Sequence, residues 1–187
     1  PRYQLGANLS VAWKGFDVSL FLQGVGRQDY YPRRYLFWGP YQQPYANVYP
    51  WNLDFYRGEA DSDAQRAQHS QSYIDAGLAD VNTDSRYPVL QSWLADANYG
   101  SGLDISQTRY LLNAAYVRVK NLTIGYNIPE FVASKINASR IRVFVTGENL
   151  FEFSAIKTFI DPEAINGANG VAYPFQRKLS FGVNIDL

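Results

Sequence analysis

Hydrophobic and polar side chains alternate along several stretches of the chain, most regularly between residues 121 and 128. Successive side chains of a β-strand point to opposite faces, so this stretch predicts a strand with one apolar and one polar face. The apolar positions are Leu122, Ile124, Tyr126 and Ile128, and the polar positions are Asn121, Thr123, Gly125 and Asn127. Pro129 follows and ends the strand, because proline cannot donate a hydrogen bond to a neighbouring strand.

The same alternation predicts five antiparallel strands, near residues 3–13, 16–26, 110–128, 140–150 and 175–187. Lys14 and Gly15 form a two-residue turn between the first two strands, since glycine readily adopts the positive φ that a tight hairpin requires. In the third strand the apolar positions change from odd to even numbers near Lys120 and Asn121. This change of phase predicts either a β-bulge or a change in the surroundings of the strand.

The connections between the strands alternate in length. Residues 14–15 and 129–139 are short connections, whereas 27–109 and 151–174 form loops far longer than the usual connection of about 4–6 residues. The first loop is rich in Tyr, Trp and Phe, and disordered segments contain few aromatic residues, so we expect it to be ordered. Within it, residues 59–76 are rich in Ala, Gln and acidic residues and predict a short helix.

Two architectures fit the alternation. In a soluble β-sandwich the apolar face is buried against a second sheet, whereas in an outer-membrane barrel it faces lipid, with short turns at one end and long external loops at the other. The loop lengths favour the barrel, and so do Trp13, Phe16 and Tyr126, which fall near the short turns where an aromatic girdle would lie. Five strands cannot close a barrel, since about eight is the minimum. The prediction is therefore all-β, an antiparallel transmembrane arc of a larger barrel wall.

Composition narrows the range of functions that the chain could have. The 187 residues carry no net charge, which argues against nucleic acid or an anionic surface as the main partner. The chain has no Cys and a single His, His69, so thiolate sites, multi-histidine metal sites and histidine-based triads are excluded. No apolar run approaches the roughly 18 residues of a membrane-spanning helix, but a membrane strand needs only about 9–11. The chain starts at Pro1, which removal of an initiator methionine or a cut from a longer chain would explain equally well.

Several motifs, in order along the chain, resemble those of SusC/RagA-like TonB-dependent outer-membrane transporters. They are WKGFD (13–17), FLQGVG (21–26), YVRVKNLTIGYNIP (116–129), RVFVTGENLF (142–151), DPE (161–163) and YPFQRKLSFGVN (173–184). The resemblance covers most of the predicted strands, while residues 32–100 match mainly in being long and aromatic. Leu187 departs from the family, whose members often end in an aromatic residue.

The resemblance implies that residues 1–187 are the C-terminal part of a plugged, 22-stranded barrel in the outer membrane, with the loops 27–109 and 151–174 outside the cell. It implies import of glycan or peptide fragments, with no enzymatic activity and no cofactor. The implied partners are a SusD-like surface lipoprotein, TonB (through segments upstream of this chain), the remainder of the same barrel, and the lipid and lipopolysaccharide around it. The alternative is a soluble β-sandwich that binds carbohydrate through exposed aromatic residues.

The aromatic residues of the first long loop are the best candidates for binding a substrate or a partner: Trp38, Tyr41, Trp51 and Trp93. Tryptophan and tyrosine combine a flat apolar ring, suited to stacking on a sugar or anchoring a protein, with a hydrogen-bonding tip. The alternative is that these rings pack on one another as the core of the loop.

Charged residues of the polar face give two weaker hypotheses. Arg140 and Arg142 start one predicted strand at the short-turn end, and Asp186 ends its expected neighbour there, so we predict an inward pairing of these groups. Asp161 and Glu163 have the spacing of an acid and base pair, but no pocket can be inferred around them, and in the resembled family this stretch is a structural turn. We find no catalytic or metal-binding constellation in the sequence.

Overall fold

The computed structural model describes residues 1–33, 35–94, 102–103, 105–165 and 175–187. The chain divides into two compact units. One comprises Pro1–Tyr30 and Leu112–Leu187, and the other comprises Tyr31–Leu111.

The strands of the first unit are β1 (Gln4–Trp13), β2 (Phe16–Val25), β3 (Asp29–Tyr30), β4 (Leu112–Asn113), β5 (Tyr116–Asn127), β6 (Arg140–Ser154) and β7 (Lys178–Asp186). Five of them form an antiparallel sheet in the order β1-β2-β5-β6-β7. β3 and β4 form a separate two-stranded ladder. The turn at Lys14 and Gly15 has positive φ at both residues, 47° and 88°, as a tight hairpin requires.

The strand predicted for 110–128 begins only at Tyr116. Residues Thr108–Tyr110 form a 3-10 turn instead, and Leu112 and Asn113 pair with β3. The side-chain oxygen of Asn113 accepts a hydrogen bond from the backbone N–H of Ala115 at 3.0 Å. Such a local bond competes with pairing between strands and interrupts the run.

The predicted β-bulge is present at Lys120. Phe21 of β2 pairs with Asn121, but the next residue, Leu22, pairs with Val119, so Lys120 has no residue opposite it on β2. The pairing of β5 with β6 shifts at the same place. On β6 the irregularity includes Asn149, whose φ of 52° is rare for a residue with a side chain. The strand continues past it to Ser154, beyond the predicted end at residue 150.

Register places all five apolar stripes on one face of the sheet. One cross-strand row consists of Val11, Val18, Ile124, Val145 and Phe181, and the next polar row consists of Ser10, Ser19, Thr123, Thr146 and Ser180. The apolar face is open: Phe181 is 82% exposed and Trp13 is 68% exposed. Among the described residues the second sheet has only two residues per strand, too few to bury this face. The β-sandwich alternative is therefore wrong, and the open antiparallel arc is confirmed.

On the polar face, two glycines make room for large neighbours. A Cβ at Gly182 would lie 2.3 Å from Cζ of Phe144, so the phenyl ring rests on the bare backbone of β7. A Cβ at Gly125 would lie 2.4 Å from Nη2 of Arg142.

The connection from β5 to β6 contains a short helix, Glu130–Ala133, continued by a 3-10 turn, Ser134–Ile136. Asn137 ends it in the left-handed conformation, with φ of 59°. None of the helices in the described part of the chain combines the length and apolar character that crossing a membrane would need.

The second unit, Tyr31–Leu111, has an aromatic core of its own. The rings of Phe37, Trp38, Tyr41, Tyr87 and Tyr110 are at most 3% exposed. Buried Asn52 ties the surrounding backbone together, since its side chain donates to the carbonyl of Phe37 and accepts from the N–H of Tyr49. The helix predicted within 59–76 is present as two short helices, Asp63–Arg66 and Gln71–Asp75.

Candidate functional site

The most concentrated chemistry on the polar face is a cluster of five charged side chains, here called the upper charge cluster: Arg118, Lys120, Glu152, Asp161 and Glu163. Strand pairing places Arg118 opposite Glu152, and the two form an ion pair. Arg118 also lies 2.7 Å from Asp161 Oδ1 and 3.0 Å from Glu163 Oε1, and Lys120 Nζ lies 2.8 Å from Glu163 Oε2.

The Asp-Pro-Glu turn is what brings two of these carboxylates to the sheet. Asp161 Oδ1 accepts a hydrogen bond from the backbone N–H of Glu163 at 3.0 Å, which closes the turn, and Oδ2 accepts one from the N–H of Phe175 at 3.3 Å. The Arg118 side chain beneath is only 2% exposed. A guanidinium buried so fully requires paired carboxylates, because desolvating an isolated charge is costly. Asp161 and Glu163 therefore act here as the partners of cations.

A cavity of about 460 Å³ opens beside the upper charge cluster. It is lined by Arg118, Asn149, Glu152, Lys157, Thr158, Asp161, Phe175 and Arg177. The ring of Phe175 forms one wall and is held by cation–π contacts, with Lys120 Nζ at 4.6 Å and Arg118 Cζ at 5.3 Å from its centre. Both signs of charge line this space, which suits a hydrated polar solute. Over the described ranges, no group of three potential metal ligands is found.

A second ion pair lies on the polar face near the short turns. Arg142 donates from Nε to Asp17 Oδ1 at 2.9 Å and from Nη2 to Asp17 Oδ2 at 2.5 Å, a bidentate arrangement. The guanidinium crosses over Gly125, where a side chain would collide with it. The pair thus links β6 to β2 across the intervening strand β5.

The predicted pairing of Arg140 and Arg142 with Asp186 is wrong. Arg140 stands opposite Asp186 in the register, but its Nε donates to Asn127 Oδ1 at 3.0 Å instead. Within the described residues no salt bridge joins Asp186 to either arginine. The prediction considered only the neighbouring strand, whereas Gly125 allows Arg142 to reach one strand further. A glycine in an otherwise regular polar face was the signal for this longer reach.

Two of the four aromatic candidates lie in the core of the second unit. Trp38 and Tyr41 are 0% exposed. Trp38 packs edge-on against Tyr110 at 4.8 Å, and Tyr41 stacks on Tyr87 at 5.6 Å. Their polar tips are satisfied by backbone carbonyls, those of Pro32 and Pro88. The role predicted for these two residues changes from binding to structural, because neither ring offers a free face to a ligand.

Burial also changes the chemistry of two tyrosines in that core. Removal from water raises the pKa of Tyr41 above its ordinary value of 10.0, and the nearby Tyr110 and Asp54 raise it further. Burial likewise raises the pKa of Tyr87, whose hydroxyl donates to the carbonyl of Phe37 at 2.8 Å. Both phenols therefore stay protonated, as hydrogen-bond donors, to a higher pH than a tyrosine in water.

The other two candidates reach the surface. Trp51 is half-buried and stacks parallel to Tyr49 at 4.9 Å, and its Nε1 donates to the carbonyl of Leu36 at 3.0 Å. Trp93 is 39% exposed and has a positive φ of 67°. Tyr49, which the sequence did not single out, supplies the second ring of a rigid two-ring stack.

Comparisons with known proteins relate the chain to part of larger TonB-dependent receptors. It is 26% identical to TonB-dependent receptor P3 of Formosa agariphila over 198 residues, covering 99% of this chain and 16% of that protein. It is 29% identical to TonB-dependent receptor P26 of the same organism over 87 residues, 41% of this chain and 9% of the relative. The chain thus spans about a sixth, or less, of these curated relatives. No protein-family model matches it.

Solved structures with the same fold include the RagAB peptide transporter, with a TM-score of 0.58 and 18% identity over 96% of this chain. The RagAB peptide importer in its open-open and closed-closed states gives TM-scores of 0.60 and 0.61, at 19% and 20% identity. In each case the chain corresponds to 17% of the solved chain. Together with the curated receptors, these similarities confirm the resemblance predicted from the motifs.

Proposed function

We propose that this chain, which resembles a segment of the SusC/RagA-like TonB-dependent transporters, forms part of the wall and outer lip of an outer-membrane nutrient importer. The single observation that carries the proposal is the continuous apolar face of the five-stranded sheet, which is widely exposed, as at Phe181 (82%) and Val11 (67%). A face of this kind is stable in contact with lipid and unfavourable in contact with water.

The polar face supports the same orientation. It carries the upper charge cluster and the pair of Asp17 with Arg142, and charged groups in a membrane protein face the interior or a water-filled cavity because lipid cannot solvate them. In the proposal the cavity beside Phe175 opens toward the lumen, where a polar solute would pass. The strands then cross the membrane, and the long loops stand outside the cell.

Partners and substrate follow from the same placement. The long loops 27–109 and 151–174 would each lie outside the cell, where a SusD-like surface lipoprotein would meet them. Energy would come from TonB through parts of the transporter outside this chain. RagAB is described as a peptide transporter, which favours peptide fragments over oligosaccharides as the cargo. Trp51 and Trp93 are the proposed contacts with cargo or lipoprotein.

An uptake experiment tests this proposal. Cells lacking the gene would be offered fluorescent oligopeptides and oligosaccharides in parallel, with the wild-type gene restored as the matched control. We expect accumulation of one substrate class to depend on both this gene and TonB, and the protein to fractionate with the outer membrane. Uptake of both classes that is independent of the gene, or a protein found in the soluble fraction, would contradict the proposal.

A further inference from the structure

The connection between β5 and β6 carries an apolar surface that neither the sheet nor the loops account for. We call residues Glu130–Ala133 and Ser134–Ile136 together the rim helix. Its buried side is formed by a single small residue. Ala133 is 0% exposed, and it packs with Ala138 against Ile141, which is 7% exposed, and against Ile128.

The position of the rim helix follows from strand register. Tyr126 pairs with Val143 on the apolar face, and the N–H of Ile128 donates to the carbonyl of Ile141 two residues further along each strand at 2.8 Å. Side chains two residues apart on a strand share a face. Ile128 and Ile141 therefore belong to the apolar face, and the rim helix covers that face at its short-turn end.

The exposed residues of the rim helix include three apolar ones, alongside Glu130, Ser134 and Lys135. Phe131 is 70% exposed, Ile136 is 60% exposed and Val132 is 39% exposed. Exposed Lys135 stands beside them. The helix thus covers the end of the apolar face and exposes apolar side chains of its own.

The same end of the sheet carries further apolar and basic groups at the level of the short turns. Trp13 is 68% exposed, and Nζ of Lys14 lies 4.9 Å from the centre of its ring. Aromatic and basic side chains together are typical of the zone where acyl chains meet lipid headgroups.

We infer that the rim helix is an interfacial membrane anchor, lying at the boundary of headgroups and acyl chains in the leaflet nearest the short turns. Phe131, Val132 and Ile136 enter the acyl region, and the Lys135 ammonium binds lipid phosphate. The inference rests on the proposed function, since it extends a lipid-facing sheet. Lipid is the occupant because the helix packs on the end of that face, and because exposed apolar and aromatic side chains beside a lysine are typical of the membrane interface.

Site-specific fluorescence in the intact transporter, reconstituted in phosphatidylcholine vesicles, tests the inference. The chain contributes no cysteine of its own, so Phe131→Cys and Ile136→Cys can each carry an environment-sensitive nitrobenzoxadiazole label. Both residues are exposed, and their replacement leaves the packing of Ala133 intact. Phe181→Cys serves as the reference for the sheet face and Gln68→Cys, exposed in the loop unit, as the aqueous reference.

We expect brominated lipid to quench the labels at residues 131, 136 and 181, with blue-shifted emission, and iodide to quench the label at residue 68. Labels at 131 and 136 that respond to iodide while residue 181 responds to lipid would overturn the anchor and leave the proposed function standing. Labels at 131 and 136 that respond to neither quencher would indicate a protein partner and also overturn it. Loss of lipid quenching at residue 181 would contradict the proposed function itself.

Discussion

At the scale of single residues, some positions of the polar face require glycine because a neighbouring side chain occupies the space that a Cβ would take. Gly182 provides the clearest test, because a Cβ there would lie 2.3 Å from the Phe144 ring. We expect Gly182→Ala to displace the ring and lower the free energy of unfolding by about 1–3 kcal/mol, the usual cost of overpacking.

Gly6→Ala is the matched control for Gly182→Ala. A Cβ at Gly6 meets only Phe21, at an ordinary 3.7 Å, so its effect on stability should stay within about 0.5 kcal/mol. Urea unfolding of both variants measures the difference. Equal losses of stability in the two would contradict the proposed contact between Phe144 and Gly182.

Arg118 is the residue on which the upper charge cluster depends. Arg118→Ala removes the buried cation that pairs with Glu152, Asp161 and Glu163, and removal of one partner from a buried ion pair costs about 3–5 kcal/mol. Arg140→Ala, on the same face but exposed, should cost far less. The measurement is the urea midpoint of each variant. A wild-type midpoint for Arg118→Ala would show that the cluster does not hold the Asp-Pro-Glu turn.

The buried tyrosines predict that the unit Tyr31–Leu111 loses stability at alkaline pH. Burial raises the pKa of Tyr41 and Tyr87 in the folded state above 10.0, so the unfolded state releases their protons first as the pH rises. The stability that they contribute is complete below about pH 10 and is lost as the pH rises through the folded pKa. The last tyrosinate absorbance to appear, that of the two buried phenols, should rise together with the loss of the near-ultraviolet circular dichroism signal. Full ionisation near pH 10 without loss of structure would contradict this.

Residue type alone could not separate the four aromatic candidates. Trp38 and Trp51 have the same chemistry, yet Trp38 is enclosed by rings that include Tyr110, 72 positions away in the chain. Contacts of this sequence separation leave no local pattern. The alternative interpretation, in which these rings pack on one another as the core of the loop, describes Trp38 and Tyr41. Arg118 was missed because a cation inside a strand is ordinarily a solvated residue.

At the scale of elements, alternation predicted the strands well wherever one face is apolar and the other polar. The errors fall where a side chain competes with the backbone. The hydrogen bond that the Asn113 side chain accepts interrupts the strand predicted to start at residue 110. β6 continues past the irregularity opposite Lys120 and ends at Ser154. The hydrogen bond of Asn113 leaves the hydrophobic pattern unchanged, whereas the bulge at Lys120 was predicted from the change of phase and only its effect on the end of β6 was missed.

The two faces of β7 provide a test at this scale. A lysine on the lipid face of a membrane strand costs about 2–4 kcal/mol near the middle of the bilayer, whereas a lysine facing the lumen is solvated. We therefore expect Phe181→Lys to destabilise the reconstituted protein by that amount and Ser180→Lys, its neighbour on the polar face, to have a much smaller effect. Reversed effects in urea titrations would mean that the faces are assigned the wrong way round.

At the scale of the whole molecule, the sequence predicted the architecture of one unit and left that of the other open. The motifs that resemble SusC/RagA-like transporters lie almost entirely in the unit Pro1–Tyr30 and Leu112–Leu187, whose strand pairs are set by a simple repeat of two. The unit Tyr31–Leu111 is held by bonds such as that from Tyr87 to Phe37, 50 residues apart. Its order could be predicted from its aromatic content, but its arrangement could not.

The central claim is that the apolar face of the sheet touches lipid while the polar face lines the interior. A spin-label scan of β7 in the intact protein in liposomes tests it most directly, because oxygen dissolves in acyl chains and a nickel chelate stays in water. We predict oxygen collisions at Leu179, Phe181, Val183 and Ile185, and nickel collisions at Ser180 and Asn184. Odd-numbered labels that neither reagent reaches, or a scan with no period of two, would contradict the claim.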